Sequence, residues 1–311
     1  MLTRAGSEMR HERFRAMLAR RGLDAAVVSD PRDIYYLTGL LIPSFPGFPA
    51  LLYVEADGGS WLAAPTADGE ALADDRVTYE TNVLSTLNPD PMRRLAQTVA
   101  GHLTGKRAPR RLGWQAEALP RLIGEQLADT LRPGDWVAID DDLAALEKRK
   151  DADEVALLRQ AIDCSRAAYD AARAAIAPGV TELAVLEAAH TAATLHAGEI
   201  IFHSGDYRSG ERGGPARDRA IRGDELYIID AWSTYHGYWS DLCRTFAVSE
   251  PTPLQREVFD HLAGILEVGD VVSCEPGAYT PALNAGVRLE NTFLITESGA
   301  ELLSDYPVSL T

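Results

Sequence analysis

Two acidic residues end neighbouring apolar segments between residues 222 and 246. Asp230 closes the first segment, and Asp241 follows a second β-prone segment after a turn-like stretch at residues 233–237. Tyr, Ile and Trp favour a pleated, half-buried surface, so these residues predict a hairpin with one carboxylate on each strand. A buried carboxylate is costly unless it is paired or coordinates a metal. Two of them on neighbouring strands are suited to an oxygen-rich metal site.

A second pair of acidic residues lies near the C-terminal end of the sequence. Glu275 follows one apolar strand and Glu290 follows another. Strand alternation places Arg288 on the same face as Glu290. The sequence also repeats itself, because Arg-Gly-Asp at 222–224 precedes the first acidic strand and Val-Gly-Asp at 268–270 precedes the strand that ends at Glu275. Two similar units that each deliver acids predict a pseudo-twofold site.

Three motifs in a fixed order carry a resemblance to a known family. The sequence contains D-x-W-x-x-Y-x-G-Y-x-S-D-x-x-R-T-F, then E-P-G-x-Y, then R-x-E-N-T-x-x-I-T. Together they resemble the creatinase/prolidase/aminopeptidase P family, which has the pita-bread fold and usually holds two divalent metals. The resemblance implies that Asp230, Asp241, Glu275 and Glu290 match four of the five usual metal ligands.

The helices and strands that must position these acids are expected to form two domains of mixed α/β (α+β) structure. Residues 1–145 resemble the creatinase/prolidase N-terminal α/β domain, and residues 146–311 resemble the pita-bread catalytic domain. Two predicted helices, at 153–176 and 182–196, precede the first acidic hairpin. In the second half, residues 251–266 leave room for one helix at most. The family segment with a Gly-His-Gly motif, which supplies a histidine ligand, is absent here, so the second half is expected to be truncated.

The remaining site residues follow from the resemblance. By spacing, Arg212 stands where the family has a pocket histidine, and an arginine fork could bind a substrate carboxylate. His203 is a second candidate for substrate binding, with a structural role as its alternative. His261 lacks the Gly-x-Gly surroundings of the family ligand and is not assigned. Glu275 is the candidate proton shuttle, and Arg288 would orient Glu290 or form a cross-strand salt bridge.

The composition and charge of the chain limit the kinds of molecule that it is expected to bind. The chain has 311 residues and a formal net charge of −16, which argues against nucleic acid or an anionic membrane as partner. Cys164, Cys243 and Cys274 form no C-x-x-C pair, so neither a disulfide framework nor a zinc knuckle is predicted. The charged N-terminal residues do not resemble a secretory signal, and a cytoplasmic protein is expected. The family often dimerises, so a homodimer is expected by analogy.

The resulting functional hypothesis is a metal-dependent hydrolase. Four converging carboxylates would repel one another, and two divalent ions would balance their charge. Oxygen-only ligation favours Mn²⁺ or Mg²⁺, whereas the missing imidazole would have favoured Zn²⁺ or Co²⁺. The resemblance implies an aminopeptidase or dipeptidase of the Xaa-Pro type, in which two metals activate a water for hydrolysis of a peptide or other small amide. The alternatives are a metal-free creatinase-like C–N hydrolase and a catalytically inactive family member that acts as a binding or scaffold protein.

Overall fold

The computed structural model describes residues 1–42, 48–65, 69–81, 90–263, 273–275, 277–296, 299–304 and 306–310. These residues form two compact units, Met1–Val155 and Ala156–Thr311. The sequence places the boundary ten residues earlier, at 145. The difference arises at the start of the first helix after the boundary, where Asp151 and Asp153 form ion pairs with the buried Arg10. These contacts tie the first turn of that helix to the N-terminal unit.

The N-terminal unit is a twisted sheet covered by helices. Its described helices are α1 (Arg4–Arg21), α2 (Pro31–Thr38), α3 (Pro91–Leu103), α4 (Arg121–Leu131) and α5 (Asp140–Glu147). Its strands are β1 (Ala25–Val28), β2 (Leu51–Glu55), β3 (Ser60–Ala64), β4 (Asp75–Thr78), β5 (Arg111–Trp114) and β6 (Asp135–Ala138). They form one sheet in the order β4-β3-β2-β1-β5-β6. The pairs β3–β4, β1–β5 and β5–β6 are parallel, and β1–β2 and β2–β3 are antiparallel.

Strand alternation gives this sheet an apolar core on each face. Ala26 and Val28 of β1 face α1, α2 and α5, where they meet Phe14 and Leu37. Their neighbours in the strand, such as Val27, face the opposite way, toward α3 and α4. A sheet that is buried on both faces needs a near-continuous apolar strand, and β1 (Ala-Ala-Val-Val) is one.

The C-terminal unit begins with two helices that cover a three-stranded sheet. Helices α6 (Ala152–Ala175) and α7 (Glu182–Ala197) precede β7 (His203–Ser209), β8 (Leu226–Tyr235), β9 (Tyr238–Trp239) and β10 (Leu242–Ala247). The sheet order is β10-β8-β7, all antiparallel, and β9 extends the β8 hairpin. Tyr227, Ile229 and Ala231 point toward the helices. The alternate residues of β8, among them Asp230, therefore point to the other face.

The second half of this unit is smaller in its described residues. Helix α8 (Pro253–Ala263) is followed by β11 (Ser273–Cys274), β12 (Gly277–Thr280), a short 3₁₀ turn (Pro281–Leu283), β13 (Ala285–Arg288), β14 (Asn291–Thr296) and β15 (Gly299–Leu302). Strands β12 and β13 form a hairpin, and β14 pairs with β11 and β15. Phe259 of α8 packs on Leu283, Val287 and Leu289. One helix thus precedes these strands where two precede those of the first half.

Among the described residues, none of the helices combines the length and the apolar character that a membrane span requires.

Candidate metal centre

Asp230 belongs to β8, and Asp241 immediately precedes the adjacent antiparallel strand, β10. Residue 243 pairs with residue 230, and Leu242 pairs with Ala231. Tyr169 of α6 holds this part of the ladder from the helix side of the sheet. Its buried hydroxyl accepts a hydrogen bond from the Ala231 backbone N–H at 3.2 Å and contacts the carbonyl oxygens of residues 229 and 242. The helix therefore holds the two backbone segments that carry the carboxylates.

Glu290 is positioned by the Arg-Thr dipeptide that follows the first acidic hairpin. The fully buried Arg244 donates hydrogen bonds to the backbone oxygen of Glu290 and to Asn291 Oδ1, the latter at 2.8 Å. The backbone N–H of Glu290 donates to the Cys243 carbonyl at 3.1 Å. Thr245 Oγ1 accepts from the backbone N–H of Arg288 at 2.8 Å. These bonds join β10 to the junction between β13 and β14, so that the two pairs of acids converge.

The acids form two overlapping groups of potential ligands. In one group, ligand atoms of Asp230, Asp241 and Glu290 lie within 4.8 Å of one another. In the other, ligand atoms of Asp230, Cys243 and Glu275 lie within the same distance. Asp230 is common to both. The structure thus brings together all four predicted carboxylates and adds a thiol that the sequence analysis did not include.

A guanidinium group lies among these carboxylates. Arg288 Nη1 donates a hydrogen bond to Asp230 Oδ2 and lies 3.5 Å from Asp206 Oδ2. Arg288 Nε lies 3.1 Å from Glu275 Oε1 and donates to the Tyr279 hydroxyl at 2.6 Å. The sequence analysis linked Arg288 to Glu290 through strand alternation, and in the structure the contacts of the Arg288 side chain include Asp230, Glu275, Asp206 and Tyr279.

Burial and mutual repulsion raise the pKa values of the carboxyl groups in this site. Burial raises the pKa of Asp230 to about 6, with the Glu275 carboxylate adding to the rise and Arg288 opposing it. Burial, followed by the charges of Asp241 and Asp230, raises the pKa of Glu290 to about 8. The pKa of Asp241 is also raised, by partial burial of its carboxyl group and by the charge of Asp230. Positive charge placed among these groups would relieve the repulsion.

Divalent metals fit this arrangement of residues. Asp206 and Arg288 form one ion pair, which leaves the four remaining carboxylates with a formal charge that two divalent cations would balance. Carboxylates can bind Mg²⁺, Mn²⁺ and Zn²⁺, and Asp230 belongs to both groups of potential ligands. The donor chemistry and the raised pKa values therefore agree with a dinuclear centre.

The loop before β8 borders the site. Gly213 has a φ of +72°, and a Cβ atom there would lie 2.4 Å from Asp206 Oδ2 and 3.4 Å from Arg288 Nη2. Arg212 precedes this glycine and is exposed, and it forms no ion pair with any described residue. The buried Glu182 anchors the loop, since it accepts hydrogen bonds from the Arg217 side chain and backbone. The loop places the backbone of Gly213 beside Asp206, and the exposed Arg212 is the preceding residue.

The structure does not bring His203 to the carboxylates. His203 pairs with Ser233, three residues from Asp230, and therefore points to the helix side of the sheet. Its ring nitrogens lie 2.8 Å from Ser233 Oγ and 2.7 Å from the Tyr207 hydroxyl. Burial lowers the pKa of His203 to about 4, so the imidazole is neutral. This placement fits its alternative, structural role.

His261, which the sequence analysis left unassigned, is not among the potential metal ligands of the described residues. His261 is exposed in the last turn of α8. Within the part of the chain that the structure describes, neither ligand group contains a histidine.

Several residues of the site were missed by the sequence analysis. Strand alternation alone puts Cys243 on the same face as Asp241, so a signal for it was present. Tyr279 was part of the E-P-G-x-Y motif but was given no role. Asp206 could not be found in the same way, because its place beside Asp230 depends on the register between β7 and β8.

Two family models match the chain. The model of the Creatinase/Prolidase N-terminal domain matches residues 10–148, and that of Metallopeptidase family M24 matches residues 156–264. An uncharacterized peptidase of Staphylococcus aureus is 24% identical over 350 aligned positions, which cover 91% of this chain and 95% of that protein. Because 350 positions exceed the 311 residues of this chain, the relative carries residues that this chain lacks.

Solved structures show the same fold. The prolidase from Pyrococcus horikoshii superposes with a TM-score of 0.76 at 19% identity, covering 97% of this chain and 100% of that one. The Xaa-Pro dipeptidase from Bacillus anthracis gives a TM-score of 0.78 at 17% identity, with 98% and 99% covered. The predicted fold class, a creatinase-like α/β domain followed by a pita-bread domain, is confirmed. The truncation of the second half stays a prediction, which the end of the M24 match at residue 264 supports.

Proposed function

Because this chain belongs to the creatinase/prolidase/aminopeptidase P family of pita-bread peptidases, we propose that it is a metal-dependent aminopeptidase or dipeptidase that cleaves before proline. The observation that carries the proposal is the pair of ligand groups that share Asp230. Solved proteins with this fold include a prolidase and an Xaa-Pro dipeptidase, which supports a peptide with proline in the second position as substrate.

The chain's own carboxylates would hold two divalent ions. Asp230 lies in both groups and would contact both ions, with Asp241 and Glu290 on one side and Glu275 on the other. When bound, the ions supply an activated water and polarise the scissile carbonyl. The buried Glu290 and the backbone bonds from Arg244 keep this half of the centre rigid.

Glu275 is the carboxylate best placed to move a proton. Its side chain is 41% exposed, so it can reach a bound peptide and the solvent. Arg288 Nε, 3.1 Å from Oε1, would orient the Glu275 carboxylate, which would accept a proton from the attacking water and pass it to the leaving amine. Arg288 is thus a positioning residue, which acts through Glu275 and Asp230.

Arg212 would recognise the substrate's own carboxylate. The guanidinium is exposed at the edge of the site and offers a planar fork that matches a carboxylate. The adjacent Gly213 approaches Asp206 closely and Glu182 anchors the loop, which supports the proposal that the Arg212 side chain reaches the site. A dipeptide presents its C-terminal carboxylate close to the scissile bond, and this group would be paired with Arg212.

The proposal also covers the cellular location and the oligomeric state of the enzyme. We place it in the cytoplasm because its N-terminal residues do not resemble a secretory signal, and we expect a homodimer by analogy with the family. Its substrates would be peptides or related small amides. Light scattering coupled to size-exclusion chromatography tests the dimer, for which a mass near twice the 33.8 kDa of the chain is expected.

Hydrolysis of Xaa-Pro peptides by metal-loaded protein tests the proposal. We expect release of the first residue from Ala-Pro and Ala-Pro-Ala in the presence of Mn²⁺, Co²⁺ or Zn²⁺, and loss of that activity in Glu290→Gln. Glu257→Gln is the matched control, because Glu257 is exposed on α8. Turnover of an amide that persists in excess chelator would favour a creatinase-like hydrolase. Metal binding without turnover of any peptide would favour a binding protein.

A further inference from the structure

The sheet face that carries the carboxylates continues into aromatic side chains. Trp232 follows Asp230 by two residues in β8, so the two side chains lie on the same face, with their Cα atoms about 7 Å apart. The pairing of Leu242 with Ala231, continued by one residue, places Asp241 level with Trp232 on the neighbouring strand. Trp232 therefore borders two of the acids of the candidate metal centre.

Two more aromatic residues lie one step further along the same face. Trp239 of β9 pairs with Thr234, and the Thr234 backbone N–H donates to the Phe202 carbonyl oxygen at 2.8 Å. Because Thr234 shares a face with Trp232 and cross-strand neighbours share a face, all three aromatic side chains lie on one side of the sheet. The rings of Phe202 and Trp239 are 5.9 Å apart between centroids, and these residues are 54% and 53% exposed. Phe202, Trp232 and Trp239 together form what we call the aromatic wall.

The aromatic wall is not part of the protein core. None of its three residues belongs to an apolar cluster formed by the described residues. The indole Nε1 atom of Trp232 is buried and has no hydrogen-bond partner among those residues. The Nε1 atom of Trp61 shares this feature, but Trp61 is packed inside an apolar cluster of the N-terminal unit. Contiguous exposed aromatic surface beside a polar site is typical of a binding surface.

The loop that contains Arg212 lies away from the aromatic wall. Gly213 of this loop approaches Asp206, and the Tyr207 backbone N–H donates to the carbonyl oxygen of residue 214 at 3.0 Å. Trp232 pairs instead with residue 204, which lies in the opposite direction along β7. A peptide whose C-terminal carboxylate meets the Arg212 loop, and whose scissile bond lies at the carboxylates, thus directs its first residue toward Trp232.

We propose that the aromatic wall binds the side chain of the first residue of the substrate and selects peptides in which that residue is aromatic, such as Phe-Pro. This inference rests on the proposed function and names its substrate class. A residue whose carbonyl carbon lies beside Asp230 and Asp241 has its own Cα about 1.5 Å from that carbon. Its side chain can therefore cover the indole of Trp232 and reach the next row, where Phe202 and Trp239 lie. Aromatic rings attract one another in offset and edge-to-face contacts, so an aromatic side chain gains more here than a methyl group does.

The binding of analogues that cannot be cleaved tests this inference without relying on activity. Reduced-amide analogues of Phe-Pro and Ala-Pro, with a CH₂ group in place of the scissile carbonyl, are titrated calorimetrically into the metal-loaded protein. Burial of the aromatic side chain should make the Phe-Pro analogue bind about 10- to 100-fold more tightly than the Ala-Pro analogue. Hydrolysis of the two parent peptides is measured in parallel, and kcat/KM should show the same preference.

Two substitutions in the aromatic wall and one control identify the residues responsible. Trp232→Ala should reduce the Phe-Pro preference to less than about 3-fold. Trp239→Ala removes a half-exposed side chain, which leaves the fold intact, and should lower the preference by about 2- to 10-fold. Leu183→Ala is the matched control, because Leu183 is an exposed apolar residue of α7, and it should keep the wild-type preference.

The outcomes separate this inference from the proposed function. Equal affinity of the wild-type protein for the two analogues would overturn the role of the aromatic wall, even if both peptides are hydrolysed. A preference that survives in Trp239→Ala and in any folded Trp232→Ala protein would overturn it as well. Loss of the dimer in Trp239→Ala with an unchanged peptide preference would assign the wall to an interface between copies of the chain, and so contradict the inference. Preferential binding of the Phe-Pro analogue without hydrolysis of either peptide would support the wall and overturn the proposed peptidase, whereas no binding of either analogue would overturn both.

Discussion

Removal of a single hydroxyl group, in Tyr169→Phe, tests how the fold holds the metal centre. The hydroxyl is fully buried and accepts a hydrogen bond from the Ala231 N–H, next to Asp230, and it contacts carbonyl oxygens of β8 and β10. The substitution leaves the buried Ala231 N–H without this partner, which costs about 1–3 kcal/mol of unfolding free energy. Because the same backbone carries two ligands, we also expect metal affinity to fall by about 10- to 100-fold.

Tyr207→Phe provides a matched control for this experiment. Tyr207 is also fully buried on the helix side of the same sheet, and its hydroxyl is bonded to His203 Nε2 at 2.7 Å. The loss of this bond should lower the unfolding free energy by a similar amount, about 1–3 kcal/mol, and leave metal affinity unchanged. Chemical denaturation of the apo-proteins gives the first quantity, and competition with a chelating dye gives the second. Equal metal affinity in the two variants would refute the positioning role of Tyr169.

Three further substitutions have distinct expected results. Asp241→Asn should raise the melting temperature of the apo-protein at neutral pH, because one repelling carboxylate is gone, and should abolish the stabilisation that metal gives, about 2.7 kcal/mol per site at 100 times Kd. Arg288→Gln should lower kcat by about 10- to 100-fold with unchanged metal stoichiometry, since the guanidinium positions Glu275. Burial and the neighbouring Asp33 raise the pKa of Glu147 to about 8, so the folded state binds this proton more tightly than the unfolded state. Stability should therefore fall as the pH rises from about 4.5 to 8, and Glu147→Gln should flatten that slope in pH-dependent denaturation.

The strands that carry the acids could be predicted from the sequence because their periodicity is local. An apolar run that ends in Asp or Glu is readable in a single strand. In the structure Asp230 lies within β8, which continues five residues beyond it to Tyr235, Asp241 lies just before β10, and Glu290 lies between β13 and β14. That these acids converge was predicted from the family resemblance, because pairing between strands that are distant in the sequence cannot be read from one strand alone. In the structure it depends on Arg244, whose hydrogen bonds join β10 to the strand junction at Glu290.

The positions of His203 and Asp206 show what a sequence alone leaves open. Both lie in β7, which is rich in polar residues and has no clear apolar face from which to assign an orientation. The observed register brings the two strands close together at Gly205, where a Cβ atom would lie 2.2 Å from the Asp230 carbonyl oxygen. That approach places Asp206 beside Asp230 and turns His203 to the opposite face. His203, which the sequence analysis proposed for substrate binding, therefore lies on the face of the sheet opposite the carboxylates. Asp206, which the sequence analysis did not include, lies in the site.

Metal stoichiometry tests the central claim most directly. Apo-protein prepared with a chelator should take up two divalent ions per chain when Zn²⁺ or Co²⁺ is returned, as measured by elemental analysis after removal of free metal. Glu290→Gln should bind fewer ions, and Glu257→Gln should bind as many as the wild-type protein. A wild-type chain that retains no metal, or a Glu290→Gln variant with unchanged stoichiometry, would contradict the assignment of these carboxylates as a dinuclear centre.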